Sequence, residues 1–298
     1  MMPGEAQTNV MVGDMDELQK IEAVSKEEFE KRAMAKYEAL KELLSEYNGV
    51  AVSYSAGVDS TFLLATAFAV LGEKAVAMTA ELLSVPKRDI EQSRAFCHQN
   101  GITQLMVPFS ELAVPGFAGN PPNRCYLCKK ALFNRLIVVA AQNGISDVIE
   151  GSNADDAKDY RPGAEALKEL GIRSPLKECG FTKEEIRYLS REMDLPTADK
   201  PSAACLSSRI PYGEEITEEK LFMVDRAEQL LRDLGLVTVR VRMHGTIARI
   251  ETKPEEFEKL MRPGIRERVT DTLREIGFSY VTLDLLGYRM GSLNEVLD

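Results

Sequence analysis

The chain has 298 residues, of which 44% are hydrophobic and 28% charged, a composition typical of a globular protein with one large or two smaller domains. A net charge of −10 argues against a broad electrostatic surface for nucleic acid, so nucleic acid is not an expected partner. No apolar stretch is long enough to cross a membrane, and residues 1–17 lack the pattern of a secretory signal. Five cysteines, an odd number, favour reduced thiols and a cytoplasmic location.

The first two thirds of the chain alternate between predicted strands and helices. Residues 1–24 are polar and aperiodic, which predicts a flexible arm, and a helix is expected to begin at Ser25, where Glu28 completes a capping box. The alternation predicts an α/β fold with a doubly wound parallel sheet in residues 25–210. The predicted strands are 50–52, 74–80, 103–107 and 148–151, and the predicted helices after the first strand are 61–71, 86–100 and 126–143.

The pattern changes near Pro211, where we place the domain boundary. Residues 211–298 are expected to form a smaller α+β domain for substrate binding or oligomerisation. Its predicted helices are 217–234, 254–261 and 264–276, and its predicted strands are 237–241, 247–251 and 280–286.

Small residues between the first strand and the next helix are suited to binding an anion. Backbone N–H groups can approach it closely, and the helix directs its positive end at the same point. The loop has neither the lysine of a Walker A motif nor the Rossmann glycines. It resembles the Ser-Gly-Gly-x-Asp-Ser PP-loop of ATP pyrophosphatases, with Ala56 replacing the first glycine; an ordinary capped turn is the alternative. The expected ATP-binding residues are Ser53, Ser55, Ala56, Gly57, Val58, Asp59, Ser60, Thr79 and Gly151, at the carboxyl ends of predicted strands.

Cys125 and Cys128 form a Cys-x-x-Cys pattern, which is typical of a redox pair, half a zinc site or part of an iron–sulfur site. A structural zinc site needs four ligands, and the chain offers no second such pair and only two histidines. Cys205 adds a third soft thiolate, so a 4Fe–4S cluster with one open iron is favoured, and a buried structural Cys205 is the alternative. The start of a helix is expected to stabilise the Cys125 and Cys128 thiolates, while Cys97 and Cys179 are interpreted as structural.

Two polar groups are candidates for substrate or Mg²⁺. The run 150–156, followed by 159–163, provides carboxylates after a strand, although an acidic helix N-terminus explains them equally well. Arg240 and Arg242 lie on one side of a predicted strand and would form an anion pocket with Arg209, unless they make surface ion pairs on an exposed sheet. The expected substrate-binding residues are Asn153, Asp156, Arg161, Ser208, Arg209, Arg240 and Arg242.

Several motifs together resemble the LarE family of ATP-dependent sulfur-inserting enzymes in nickel-pincer nucleotide biosynthesis. The resemblance extends over nearly the whole chain after the N-terminal arm. The motifs that carry it are residues 55–60, 151–156, 159–163, 205–213 and 239–245.

The resemblance implies a pyridinium mononucleotide substrate whose two carboxylates become thiocarboxylates, and a homo-oligomer. A carboxylate would attack the α-phosphate of Mg²⁺-bound ATP, the loop with Asp59 and Ser60 would hold the departing pyrophosphate, and sulfide from a sulfur donor would displace AMP. One subtype of the family sacrifices the sulfur of a single cysteine, which matches Cys205. The other carries a 4Fe–4S cluster on three cysteines, and Cys125, Cys128 and Cys205 match that subtype.

Other PP-loop functions remain as alternatives. A tRNA thiolase would need a basic RNA surface or further zinc motifs, and neither is visible in the sequence. An amide-forming ligase of the NAD or GMP synthetase kind does not require Cys-x-x-Cys. A nucleotide-binding regulatory protein without catalytic activity fits if the cysteines are only structural.

Overall fold

A parallel four-stranded sheet forms the centre of the N-terminal part. The computed structural model describes residues 12–158, 162–201 and 205–289, and the side chains of residues 12–24, 157 and 158 are outside that description. The strands are β1 (Val50–Ser53), β2 (Ala75–Glu81), β3 (Gln104–Pro108) and β4 (Asp147–Ile149), in the order β3-β2-β1-β4. All neighbouring pairs are parallel, which confirms the predicted α/β fold.

Helices cover both faces of this sheet. They are α1 (Val12–Ser45), α2 (Val58–Leu71), α3 (Lys87–Gln99), α4 (Arg124–Gln142), α5 (Pro162–Glu169), α6 (Pro175–Glu178) and α7 (Lys183–Glu192). Because side chains alternate along a strand, Val50 and Val52 pack with α1, α2 and α7, while Ala51 packs with α4 and α5 on the opposite face. Apolar residues on both sides of each strand therefore produce the doubly wound arrangement.

Strands β1 and β4 are neighbours, although the chain visits β2 and β3 between them. The chain leaves β1 towards β2 and returns across the sheet to reach β4, so the strand order reverses at this point. In open α/β sheets, ligands bind outside the carboxyl ends of the strands at such a reversal. The loop after β1 and the segment after β4 therefore frame the candidate site.

Helix α1 begins earlier than the sequence predicts. It includes residues 12–24, so the expected helix start at Ser25 is wrong, and the predicted flexible arm is helical over those residues. Ser25 and Glu28 have capping-box spacing, but the residues before them are helical as well, so Ser25 lies inside the helix. Residues 1–11 of the predicted arm lie outside the described residues.

The C-terminal part combines a small mixed sheet with helices. Its elements are α8 (Glu218–Asp233), β5 (Val239–His244), β6 (Ile247–Thr252), α9 (Phe257–Met261), α10 (Ile265–Ile276) and β7 (Tyr280–Leu283). β5 and β6 are antiparallel, and β6 and β7 are parallel. The core of this part also includes Phe117, Leu206 and Ile210, which precede the predicted boundary at Pro211. Within the described residues, every helix is too short or too polar to cross a membrane.

Candidate active site

The loop after β1 folds as a tight turn that begins α2. Ala56 adopts a left-handed backbone with φ of 54°, the conformation that the glycine of the PP-loop pattern would take at no steric cost. The Ser60 hydroxyl accepts a hydrogen bond from the Ser55 N–H at 3.3 Å and donates one to the Gly57 carbonyl at 3.2 Å, so it stabilises the turn. The loop thus sets backbone N–H groups at the N-terminus of a 14-residue helix, as an anion site requires.

A lysine that the sequence analysis did not identify pairs with this loop. Lys183, the first residue of α7, forms an ion pair with Asp59, and the Asn153 amide donates to the other Asp59 oxygen at 3.4 Å. Lys183 is separated from Asp59 by 124 residues, so no local motif links the two. A Walker lysine is absent from the loop itself, and α7 brings a positive charge to the same place.

The segment after β4 lies directly against the start of α2. A Cβ atom at Gly151 would lie 3.1 Å from the Ser60 backbone nitrogen and 3.2 Å from the Asp59 carbonyl carbon, so any larger residue would displace the loop. The Asn153 side chain is buried, and the Asp156 carboxylate accepts from the Asn153 N–H at 3.0 Å. The close approach of residue 151 to the backbone of Asp59 and Ser60 explains why glycine occupies this position.

Asp155 in the segment after β4 and Thr79 in β2 make hydrogen bonds within the fold. The Asp155 carboxylate accepts the Lys183 backbone N–H at 2.9 Å, so it caps the first turn of α7. Thr79 is buried, donates to the Tyr54 carbonyl at 3.0 Å and accepts from Gln104 at 2.8 Å. Residues 159–161, which include Arg161, lie outside the described residues.

Lys200 connects the loop after β1 to the segment that carries Cys205. Its Nζ atom donates to the Ala56 carbonyl at 2.9 Å, to Asp89 at 3.0 Å and to Gln92 at 2.7 Å. No local pattern indicates this role, because each contact joins residues more than 100 positions apart.

The cysteines fall into two groups. Cys97 is buried in the core and Cys179 packs partly buried against it, which confirms both as structural. Cys125 and Cys205 are exposed and Cys128 is half-buried. Within the described ranges, no three His, Cys, Asp or Glu side chains are arranged to hold a metal ion, and none of the five cysteines forms a disulfide.

The pKa values of Cys125 and Cys128 are both raised. Burial raises the pKa of Cys128 to about 12, and the charge of Cys205 contributes to that increase. Although the Cys125 residue is exposed, desolvation by the protein atoms around its thiol raises the pKa of Cys125, an effect that Arg124 opposes and Cys205 reinforces. Both cysteines lie in the first two turns of α4, but desolvation opposes the thiolate stabilisation expected there.

The arginines predicted to bind substrate come together in the C-terminal part. Arg209, Arg240 and Arg242 are all buried, so the alternative of an exposed sheet face with surface ion pairs is wrong. Arg209 donates to Glu228 at 2.7 Å, and Arg242 pairs with Glu251 at 3.0 Å. Both glutamates are buried partners that the sequence analysis missed, because each is brought to its arginine by tertiary packing.

This arginine cluster, defined as Arg209, Arg240 and Arg242, contacts the segment after Cys205. Arg209 Nη1 donates to the Cys205 carbonyl at 3.3 Å and to the Ser208 hydroxyl at 2.8 Å, and Arg242 Nη1 donates to the Ser208 carbonyl at 2.7 Å. Burial lowers the pKa of Arg240 to about 10, with a further contribution from Arg209, so Arg240 stays charged at neutral pH.

Glu228 stays ionised beside these arginines. Burial alone would raise the pKa of Glu228, but the charges and hydrogen bonds of Arg209, with the charge of Arg240, hold it below its usual value. The cluster therefore consists of charged groups that are held together out of water.

Comparison with known proteins identifies the family. No family model matches the chain. An uncharacterised protein of Synechocystis sp. is 45% identical over 263 residues, which cover 88% of this chain and 98% of the relative. An uncharacterised protein of Methanocaldococcus jannaschii is 31% identical over 170 residues, which cover 57% and 66% of the two chains. The pyridinium-3,5-bisthiocarboxylic acid mononucleotide synthase of Lactiplantibacillus plantarum is 36% identical over 257 residues, 85% of this chain and 92% of the synthase. This chain therefore belongs to the family of that synthase, the LarE family.

Proposed function

We propose that the protein is an ATP-dependent sulfurtransferase of nickel-pincer nucleotide biosynthesis. It adenylylates the carboxylates of a pyridinium dicarboxylate mononucleotide and replaces AMP with sulfide. The observation that carries the proposal is the meeting of the loop after β1, Asp59 and Lys183 at the strand-order reversal, with Lys200 linking that loop to the Cys205 segment. The 36% identity to the synthase of L. plantarum supports the choice of substrate.

The adenylylation step follows from the chemistry of the carboxylate. A carboxylate reacts poorly with sulfide because its oxygen is a poor leaving group, and transfer to the α-phosphate of ATP converts that oxygen into part of AMP. Pyrophosphate then leaves, and the N-terminal amides of α2 with Lys183 stabilise its charge. Asp59 orients Lys183 through their ion pair and would provide a carboxylate ligand for Mg²⁺.

Product analysis tests this step. With ATP, Mg²⁺, sulfide and the mononucleotide, the unaltered chain should form AMP and pyrophosphate in equal amounts. Asp59→Asn should reduce AMP formation by at least about 100-fold because it removes the carboxylate that orients Lys183 and that would bind Mg²⁺. Asp271→Asn, on the exposed side of α10, is the matched control and should keep full activity. Formation of ADP in place of AMP contradicts the proposal.

For the sulfur step, we propose that Cys125, Cys128 and Cys205 hold a 4Fe–4S cluster. Support comes from the chemistry of three soft thiol donors: Cys125 and Cys128 lie one helical turn apart near the start of α4, and Cys128 packs against the core cluster that contains Leu206, the residue after Cys205. A bound cluster would supply an open iron that carries sulfide. Arg209 and Arg242 donate hydrogen bonds to the Cys205 and Ser208 carbonyls, so they hold the backbone of this segment.

Anaerobic reconstitution separates the cluster from a sacrificial cysteine. The proposal predicts Mössbauer signals of one 4Fe–4S cluster per chain, and intact mass unchanged after turnover. Cys179→Ser is the matched control and should keep the cluster, while Cys125→Ser should lose it. Full sulfur transfer by Cys125→Ser, with conversion of Cys205 to dehydroalanine, would establish the sacrificial chemistry.

We further propose that the arginine cluster binds the anionic groups of the mononucleotide. Support comes from three buried guanidinium groups next to the Cys205 segment, because guanidinium pairs well with carboxylate and phosphate. The homo-oligomer, the cytoplasmic location and the domain boundary at residue 211 remain predictions.

A further inference from the structure

Asn120 occupies an unusual position between the two segments that carry the three thiols. It is fully buried, and its backbone is left-handed with φ of 53°, which is uncommon for a residue other than glycine. It lies five residues before Cys125 in sequence. Its carbonyl accepts the N–H of Gly213, which follows Cys205 by eight residues.

The Asn120 side chain uses both ends of its amide. Nδ2 donates to the Ile210 carbonyl at 3.1 Å and to the Pro211 carbonyl at 2.7 Å. Oδ1 accepts from Arg124 Nη1 at 2.9 Å. Aspartate has nearly the same shape but donates neither bond, so these contacts require the amide.

Arg124 makes the second link across the same gap. It is buried, it immediately precedes Cys125, and its guanidinium carbon lies 4.4 Å from the ring centroid of Tyr212. A guanidinium over an aromatic face is attracted by the ring, and more strongly where water is excluded. Asn120 and Arg124 therefore join the start of α4 to residues 210–213.

We infer that Asn120, with Arg124, is a positioning residue that sets Cys205 against Cys125 and Cys128. The segment after Cys205 is also held from other sides, by Ser84 and by the arginine cluster. Those contacts do not involve α4. Asn120 and Arg124 instead connect residues 210–213 to the start of α4, the helix that carries the other two thiols.

The inference rests on the proposed role of the three thiols, but its test needs neither ATP nor sulfur transfer. The full chain is treated anaerobically with an iron chelator, reduced, and reacted with dibromobimane, which bridges only neighbouring thiols. Peptide mapping then quantifies two bridges, Cys125–Cys128 within α4 and either of these to Cys205. In the unaltered chain we expect both.

Asn120→Gly tolerates the left-handed backbone but removes the amide, and Asn120→Asp keeps the shape but loses both donated bonds. Each should lower the bridge to Cys205 by about tenfold, since two buried carbonyls lose their donors. The Cys125–Cys128 bridge should not change. Asn143→Gly, an exposed position at the end of α4, is the matched control and should keep both bridges.

Thermal unfolding followed by circular dichroism identifies any variant that does not fold, and Arg124→Met tests the same link without changing Asn120. It should reduce the Cys205 bridge selectively. An unchanged Cys205 bridge in Asn120→Asp and Arg124→Met overturns the inference. A parallel loss of both bridges, or no Cys205 bridge in the unaltered chain, also overturns it. Loss of AMP formation with intact bridges would concern the proposed function alone.

Discussion

Two buried charge clusters, one in each part of the molecule, differ in how their charges are balanced. Between α1 and α7, the single carboxylate of Glu185 accepts from Lys36 at 2.7 Å and from Arg32 at 2.8 Å. Both cations keep part of their side chains in solvent, at 23% and 59% exposure, while Glu185 is fully buried. The cations reach the carboxylate from the surface, as expected of a cluster that joins two helices.

The arginine cluster has the opposite arrangement. Its three guanidinium groups are buried and share two buried carboxylates, Glu228 and Glu251. Burying several cations costs free energy, and replacing a buried ion pair by hydrophobic residues is often at least as stable. Stability of the fold therefore does not explain why this cluster is charged. We infer that the excess cations of a structural cluster lie partly in solvent, whereas those of a cluster suited to an anionic ligand are buried.

The largest effect is expected from removing a buried carboxylate of the arginine cluster. Glu228→Gln leaves Arg209 and Arg240 without that negative charge in a buried site, so the free energy of unfolding should fall by about 3–5 kcal/mol. Urea unfolding at pH 7 measures it. Glu169→Gln, in an exposed pair with Lys130, is the control and should have little effect. Equal losses in the two variants would remove the distinction between buried and surface pairs.

The Glu185 cluster should show its contribution through pH. Burial opposes ionisation, but Lys36, the Thr182 N–H and Arg32 lower the pKa of Glu185 to about 2. A depressed carboxyl pKa stabilises the folded chain above the unfolded pKa, and this contribution, roughly 3 kcal/mol, is lost as pH falls from about 4.5 through about 2. The difference in unfolding free energy between the unaltered chain and Glu185→Gln should therefore shrink across that range. A difference independent of pH would contradict this assignment, and Glu184→Gln, exposed on the same helix, is the control.

Loss of one guanidinium group from the arginine cluster is expected to weaken binding of the mononucleotide. Arg240→Gln should raise the KM for the mononucleotide by at least about tenfold and leave the KM for ATP unchanged, because one charged donor to the substrate is lost. Steady-state assays with each substrate varied in turn measure both constants. Arg32→Gln is the matched control and should change neither. Equal increases in the two constants would argue against a separate substrate pocket.

The smallest effect is expected at the exposed cation of the first cluster. Arg32→Ala should reduce the free energy of unfolding by less than about 1 kcal/mol, because Lys36 still pairs with Glu185 and the Arg32 head is largely in solvent. Urea unfolding measures the change. If Arg32→Ala is as destabilising as Glu185→Gln, the cluster depends on both cations equally.

Local patterns predicted the sheet and the loop well. Alternating apolar runs indicated all four strands of the parallel sheet, and the small residues around Ala56 indicated the turn that the structure shows with a left-handed backbone. Both features depend on residues that are neighbours in sequence, so the sequence is sufficient to predict them. The start of α1 is an exception. Capping-box spacing at Ser25 predicts that the helix begins there, but the helix begins at Val12.

Features that depend on distant residues were not predicted. Lys183 and Lys200 reach the loop after β1 from more than 100 residues away, and neither belongs to a motif of the loop. Local sequence indicates only that α7 begins at Lys183, because Thr182 and Glu185 form a capping box. The ion pair of Lys183 with Asp59 depends on tertiary packing. Glu228 and Glu251 likewise become partners of the arginine cluster through packing of α8 and β6 against β5.

The proposed function depends above all on adenylylation of the mononucleotide at the loop after β1. Exchange of labelled pyrophosphate into ATP tests it most directly, because exchange requires reversible formation of an acyl-adenylate. We expect exchange only when the pyridinium dicarboxylate mononucleotide and Mg²⁺ are both present, and at least about a 100-fold lower rate in Asp59→Asn. Exchange that is independent of the mononucleotide, or formation of ADP without any exchange, would contradict it.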